Sequence, residues 1–242
     1  MKIGIVGYGA FGTLLHTLVL RFAPSVEVRV YSSRHTPDEK TFFSLEKTVQ
    51  SDAVVLTVPI SAFEAMLKKI LPLIGNDTVI VDISTVKVHT LKVLKRLASG
   101  RCYISTHPMW GPESYEKKGR EVTGLRIVMC EHTIPETSHK QLVTFLKSIG
   151  FNIVEMSADK HDKHLAETLF LTHFIGQIVA HAKFDRTEID TVSFGYLMDA
   201  VESVRQDKKL FQDVFKYNPY CKKVLKKFGI AEREVQKFLG KK

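Results

Sequence analysis

The sequence predicts an α/β protein: a parallel sheet with helices on its faces over residues 1–157, then an all-α unit over residues 158–242. Three observations predict it. An apolar run at residues 2–6 meets three glycines within six residues, and helical periodicity follows at once. Short apolar runs then alternate with helical stretches as far as residue 155. From Asp159 onward only helical periodicity remains.

Composition sets the bounds on function. The chain has 242 residues, 44% hydrophobic and 25% charged, enough to bury a core in one large or two modest domains. Cys102, Cys130 and Cys221 are far apart and odd in number, which argues against a disulfide framework or a cysteine-based zinc site and for a reducing compartment. The opening Met1-Lys2-Ile3-Gly4-Ile5-Val6 has no cleavable signal pattern, and no apolar run approaches the roughly 18 residues of a transmembrane helix. A cytoplasmic protein with no membrane partner is expected. The net charge of +9 is concentrated at the end, where residues 216–242 carry nine Lys or Arg against Glu232 and Glu234. These lysines interleave with Val224, Leu225, Phe228 and Ile230, the pattern of an amphipathic helix with a solvated face, so no nucleic-acid partner is expected.

The first element is the strand at residues 2–6. Gly7-Tyr8-Gly9-Ala10-Phe11-Gly12 follows, then a helix at residues 13–22 with Leu14, Leu15, Leu18 and Val19 at helical spacing. Strand, glycine turn and helix in this order form a dinucleotide fingerprint of the Rossmann type. Gly7 allows the tight turn, Gly9 lets the backbone approach a pyrophosphate, and Gly12 lets the helix lie close to the strand. Free N–H groups and the helix dipole would hold the anion. Residues 7–12 are therefore the expected cofactor loop.

The second strand, residues 26–31, ends in Ser32-Ser33-Arg34-His35, where an acidic residue would bind a ribose 2′-hydroxyl. Hydroxyls and a guanidinium at Ser32, Ser33 and Arg34 suit a 2′-phosphate instead, so NADP is expected. Asp38 or Glu39 folding back onto the site would favour NAD.

Strands at residues 53–57 and 78–83 and helices at residues 61–70 and 87–97 continue the alternation. The apolar run at residues 102–104 leads into Thr106-His107-Pro108-Met109-Trp110-Gly111-Pro112-Glu113-Ser114. This places a titratable imidazole at a strand's carboxyl end on a stiff turn, where open α/β sheets bind ligands. On the nonapeptide alone, a histidine that merely caps the turn is an equal reading. A strand at residues 125–129, a helix at residues 135–149 and a strand at residues 152–155 complete the domain. Beyond it, Leu165, Leu169, Phe174, Ile175, Ile178 and Val179 line a helix apolar over much of its circumference, and helices at residues 189–204, 208–217 and the basic tail follow. A helical unit of roughly 80 residues is marginal alone, so a homodimer through it is expected.

The glycine hexad, Asp82-Ile83-Ser84-Thr85-Val86-Lys87, residues 106–114, and the stretch from Val154-Glu155-Met156-Ser157 through Leu171-Thr172-His173-Phe174-Ile175-Gly176 together resemble the prephenate and arogenate dehydrogenases, and are most similar to the plant-like, arogenate-type branch. The resemblance implies a cyclohexadienol substrate that loses hydride to a nicotinamide and carbon dioxide from its ring, and becomes aromatic. It makes His107 the catalytic base for the 4-hydroxyl proton, a task suited to a neutral imidazole. Thr85 stands where the family usually has serine near that hydroxyl.

The same resemblance implies that His161 and His173 bind the substrate side chain, that Glu113 lies at the site mouth, and that Lys87 orients the loop or binds an anion. Glu113 capping its loop and Lys87 as a surface lysine are the bland alternatives. His161 and His173 are twelve residues apart, about 120° around a straight helix. A ring carboxylate calls for an arginine, and Arg205 is the available one, with Glu202 or Asp199 as a complement for an amino group. His161, His164 and Asp162 have metal-ligand chemistry but no matching carboxylate cluster, so no metal is expected. The rival classes are another Rossmann-type dehydrogenase or reductase and a non-catalytic nucleotide-binding protein.

Overall fold

The computed structural model describes residues 1–240; Lys241 and Lys242, the end of the basic tail, lie outside the described residues. The chain divides into two compact units, residues 1–161 and 162–242. The first holds a seven-stranded sheet in the order β2-β1-β3-β4-β5-β6-β7, with β1 at Lys2–Val6, β2 at Glu27–Tyr31, β3 at Ala53–Leu56, β4 at Val79–Asp82, β5 at Tyr103–Pro108, β6 at Arg126–His132 and β7 at Asn152–Glu155. The helices between them are α1 (Ala10–Phe22), α2 (Leu45–Val49), α3 (Ile60–Ile70), α4 (Lys87–Leu97), α5 (Pro112–Lys117) and α6 (Glu136–Ser148). Leu56, Phe63, Leu67, Ile70 and Ile80 share one fully buried cluster with α2, α3 and α4, while Leu14, Leu18, Trp110, Tyr115 and Ile127 form a second with α1 and α5. Helices therefore cover the central strands, which explains the near-continuous apolar runs of β3 and β4.

Three differences from the sequence expectation matter for the site. The sheet is not wholly parallel: β6 runs antiparallel to β5. Between them the chain forms the six-residue α5 and a turn with Gly119, Arg120 and Gly124 at positive φ, too little to carry it back across a face, so it returns along the strand it has just left. Antiparallel pairing also lengthens β5, because His107 pairs with Val128 and Pro108 with Ile127. His107 is thus held in the sheet rather than on a free turn. Finally, α1 begins at Ala10, so Gly12 lies inside the helix.

The second unit is helical. The helix α7 (Ala158–Leu165) leads from the first unit into a π turn at Ala166–Phe170, followed by α8 (Leu171–His181), α9 (Val192–Val204), α10 (Lys208–Tyr217) and α11 (Cys221–Gly240). The π turn makes the straight-helix angle between His161 and His173 inapplicable. Phe170 stacks with Phe174, Phe211 and Phe215 at the centre of the unit. At Gly176 a Cβ would lie 2.4 Å from Val204 Cγ2, so glycine is what lets α8 and α9 pack this closely. Lys222, Lys223, Lys226 and Lys227 are exposed on α11 while Val224 is buried, the solvated face expected for the tail.

Candidate active site

The glycine turn sits at the carboxyl end of β1. Gly7 has φ +109°, and a Cβ there would come within 2.8 Å of Thr57 O. A Cβ on Gly12 would lie 2.5 Å from Gly7 O. Both glycines are thus required by the protein's own packing. Gly9 is different: no protein atom lies within 4 Å of its notional Cβ. Gly9 is also the N-cap of α1, with no side chain capping the helix and no acidic residue in the first turn. Open N–H groups beside a backbone stripped of side chain fit a pyrophosphate.

Around the turn, the Gly7 N–H donates to Tyr31 O at 2.9 Å, which ties the loop to the end of β2. Ser32 is buried and its Oγ accepts the Arg34 N–H, while Ser33 and Arg34 are exposed. Tyr8 meets the edges of His35 and Phe42, which stack on each other at 4.2 Å. Ala10 is exposed at the helix start, and Phe11 packs on Trp110. Asp38 is engaged within its own loop. Its Oδ1 accepts the N–H groups of Lys40, Thr41 and Phe42, and Glu39 pairs with Lys47 at 2.6 Å.

The second part of the site is built on β4 and β5. Lys87 and Asp82 are both fully buried, and the Lys87 ammonium donates to Asp82 Oδ2 at 2.6 Å and to the Thr106 carbonyl at 2.7 Å. Asp82 also accepts from Thr90 Oγ1, Ser105 Oγ and the Ser84 N–H. Such a network offsets the large cost of burying two charges. Lys87 is therefore neither a surface lysine nor an exposed anion binder: it holds the peptide just before His107. Thr90 and Ser105 carry this arrangement without having drawn notice in the sequence, and Asp82 was noted there only as part of a motif, with no role given to it. An aspartate closing an otherwise apolar strand was the available signal.

His107 is 6% exposed and its Nδ1 lies 2.9 Å from Nε2 of His161, which is 2% exposed. Burial, the adjacent His161 and the Lys87 ammonium hold the His107 imidazole well below the usual histidine range. His161 was expected to bind substrate; in the structure its Nε2 faces the other imidazole. When His161 accepts the Nδ1–H of His107, Nε2 of His107 keeps a lone pair and is the basic atom. Thr85 lies half-buried in the turn between β4 and α4. Glu113 is exposed in the first turn of α5 and pairs with Lys117 at 2.6 Å, an ion pair along the helix rather than the loop cap that was the alternative for it.

In the second unit, His173 is 5% exposed and its Nδ1 has no hydrogen-bond partner among the described residues. Burial lowers its pKa, partly opposed by Asp207. Arg205 lines a cavity of about 570 Å³ together with Gln177, His181, Lys183, Asp185 and Lys208. The buried Arg205 Nε likewise lacks a partner among the described residues. Glu202 and Asp199, the expected complements for an amino group, are both bonded to Arg186.

A glycine turn built for an anion and a buried histidine pair at the end of β5 define a Rossmann-type dinucleotide-binding oxidoreductase. Residues 35–155 match the family described as prephenate dehydrogenase, nucleotide-binding domain. This chain belongs to the prephenate dehydrogenase family. Residues 178–242 also match a TYRAAT1-like C-terminal domain. Among curated relatives, arogenate dehydrogenase 2, chloroplastic, of Arabidopsis thaliana is 27% identical over 99% of this chain and 70% of its own length. Arogenate dehydrogenase 1, chloroplastic, of the same plant is 28% identical over 96% of this chain, which spans only 38% of that relative. The fold is that of the prephenate dehydrogenase from A. aeolicus solved with hydroxyphenyl propionate and NAD+, with a TM-score of 0.78, 18% identity, and coverage of 99% of this chain and 90% of that one.

Proposed function

We propose that this chain catalyses the oxidative decarboxylation of arogenate to tyrosine with NADP, acting as a homodimer in the cytoplasm. The observation that carries the reading is the His107–His161 pair, buried at the end of β5 beside a carbonyl held by Lys87. Bound nicotinamide supplies the hydride acceptor. His107 Nε2 takes the proton of the ring 4-hydroxyl, and its Nδ1–H bond to His161 keeps the ring in the basic tautomer. Loss of hydride from the carbon bearing that hydroxyl leaves a ring ketone. The electrons released as the ring carboxylate departs as carbon dioxide then complete the aromatic ring and return charge to the oxygen, which recovers the proton from His107. Thr85 is the hydroxyl assigned to the same oxygen, and Arg205 and His173 are the assigned partners of the substrate's carboxylate and side chain.

NADP is favoured over NAD because Ser33 and Arg34 are exposed at the end of β2 while Asp38 and Glu39 are engaged elsewhere. The named plant relatives favour arogenate over prephenate; no local acidic pair does, since Arg186 takes both candidates. Three free cysteines support a reducing compartment, and no helix of the described residues is long and apolar enough to cross a membrane. The test is initial rate with arogenate and with prephenate, each with NADP and NAD, in the native chain and in His107→Asn. Arogenate with NADP is expected to be fastest, and His107→Asn to lower kcat by about 10²–10⁴-fold while NADP still binds. No turnover of either substrate by a chain that binds NADP would overturn the dehydrogenase reading.

A further inference from the structure

We propose that His132, Glu136 and His139, with Glu155 at the rim, form a binding site for a divalent transition metal of the zinc class. The proposal does not depend on the reaction above. His132 ends β6, Glu136 opens α6, and His139 lies one turn along, so spacing of three residues puts Glu136 and His139 on one face of the helix. One ligand atom from each of His132, Glu136 and His139 lies within 4.8 Å of the others. His132 Nε2 is 3.8 Å from Glu136 Oε2, and His139 Nε2 is 4.0 Å from Glu155 Oε1. The second oxygen of Glu136 faces Lys140 at 3.7 Å.

Two further features point to a ligand. His132 Nδ1 lies 3.1 Å from the Ile134 carbonyl, which only accepts, so Nδ1 carries the hydrogen and Nε2 keeps its lone pair. A backbone carbonyl on one ring nitrogen is the usual way a metal-binding histidine is oriented. Three of the four groups, His132, His139 and Glu155, also line a cavity of about 130 Å³, with Cys130 and Met156 beside them. His139 is buried there at 8% exposure. Two imidazoles exclude the hard, oxygen-seeking cations, and two carboxylates match a double positive charge.

The imidazoles stack with centroids 4.0 Å apart and planes 15° from parallel. Binding splays this stack until the nitrogens are roughly 3.3 Å apart around an ion with bonds of about 2.0–2.1 Å. His132 pairs with Ile104, three residues before His107 on β5, so about 10 Å of strand separates this cluster from the histidine pair.

The test is titration of the tag-free full chain with Zn²⁺ against a chelating dye, and with Co²⁺ for its tetrahedral absorption bands. The native chain is expected to bind one ion. His139→Gln and, separately, the more exposed His132→Gln, each confirmed folded by circular dichroism, are expected to bind at least tenfold more weakly. Zn²⁺ is expected to raise Tm in the native chain and not in these variants. His161→Gln is the control for binding at the other histidine pair and is expected to leave affinity unchanged. Undiminished binding in both His132→Gln and His139→Gln, binding lost in His161→Gln instead, or no binding by the native chain would overturn the proposal.

Discussion

The two units treat the buried basic groups of the candidate site in opposite ways. In residues 1–161 Lys87 is matched to Asp82, and His107 to His161, at 2.6 and 2.9 Å. In residues 162–242 His173 Nδ1 and Arg205 Nε are buried without a hydrogen-bond partner among the described residues. The same unit exposes Phe184, Ile189, Val192 and Tyr196, each by more than 60%. A buried donor or acceptor left unpaired costs about 1–3 kcal/mol, and a contiguous exposed apolar patch is the usual mark of an interaction surface. The sheet unit pairs its buried lysine and its site histidines within itself, although Thr48 Oγ1, Ser84 Oγ and Trp110 Nε1 have no partner among the described residues, whereas the helical unit leaves a histidine and an arginine nitrogen open to something that binds it.

The strongest way to break this contrast is to remove the pairing in the first unit. Lys87→Met leaves Asp82 buried with a charge and no cation, a change that typically costs about 3–5 kcal/mol. Chemical unfolding of the variant is expected to show a loss of that size, and the double variant Asp82→Leu with Lys87→Met is expected to recover much of it. If Lys87→Met is as stable as the native chain, the network is not what holds the Thr106 peptide. Activity separates the two roles of Lys87: the double variant should fold yet turn over slowly, because the carbonyl before His107 has lost its donor.

A smaller effect is expected from the exposed face of the second unit. Val192→Glu places a charge on a position that is 76% exposed in the single chain. The monomer should be barely affected, since surface substitutions usually lie within about 0.5 kcal/mol. A dimer that buries this face should weaken by about 2 kcal/mol or more. Sedimentation velocity over a concentration series reads the difference. An unchanged dimer in Val192→Glu would move the interface away from the start of α9, and a native chain that stays monomeric would remove the dimer altogether.

What was legible in the sequence follows the same division. The glycine turn was, because its pattern lies within six residues: Gly7 takes a positive φ and Gly12 packs on the Gly7 carbonyl, even though Thr57, 50 residues after Gly7, crowds both, and Gly9 is set apart by the openness around it. The alternation of strands and helices was also legible, but not the direction of β6, since an apolar run reads alike in both directions. Partners distant in sequence stayed hidden. Nothing in residue order tells that Asp82 on β4 and Thr106 on β5 would converge on Lys87, because that depends on β4 and β5 being neighbours. His161 was expected at the site from its position in a motif, yet its contact with His107, 54 residues away, required the fold. The engagement of Glu202 and Asp199 was hidden for the same reason: Arg186 reaches both from outside their helix.

The smallest predicted effect is a pH dependence that separates the two units by their histidines. Burial depresses the pKa of His107 in the first unit and of His173 in the second below the ordinary value of 6.5. Both are therefore neutral in the folded chain where the unfolded chain already binds a proton. The unfolded state then holds more protons, so stability rises with pH through this range. The contribution is fully present above about pH 6.5 and is lost as pH falls below it, at no more than about 1.4 kcal/mol per pH unit for each histidine. Denaturant titrations at pH 7.5 and stepwise below 6.5 should show this decline. His107→Asn should remove the His107 share and leave the rest. His107 meets an imidazole and an ammonium, both of which oppose its charge, whereas Asp207 favours the charge on His173. The His107 share should therefore be the larger of the two, and a larger flattening from His173→Asn than from His107→Asn would reverse the assignment of the more strongly perturbed imidazole to the first unit.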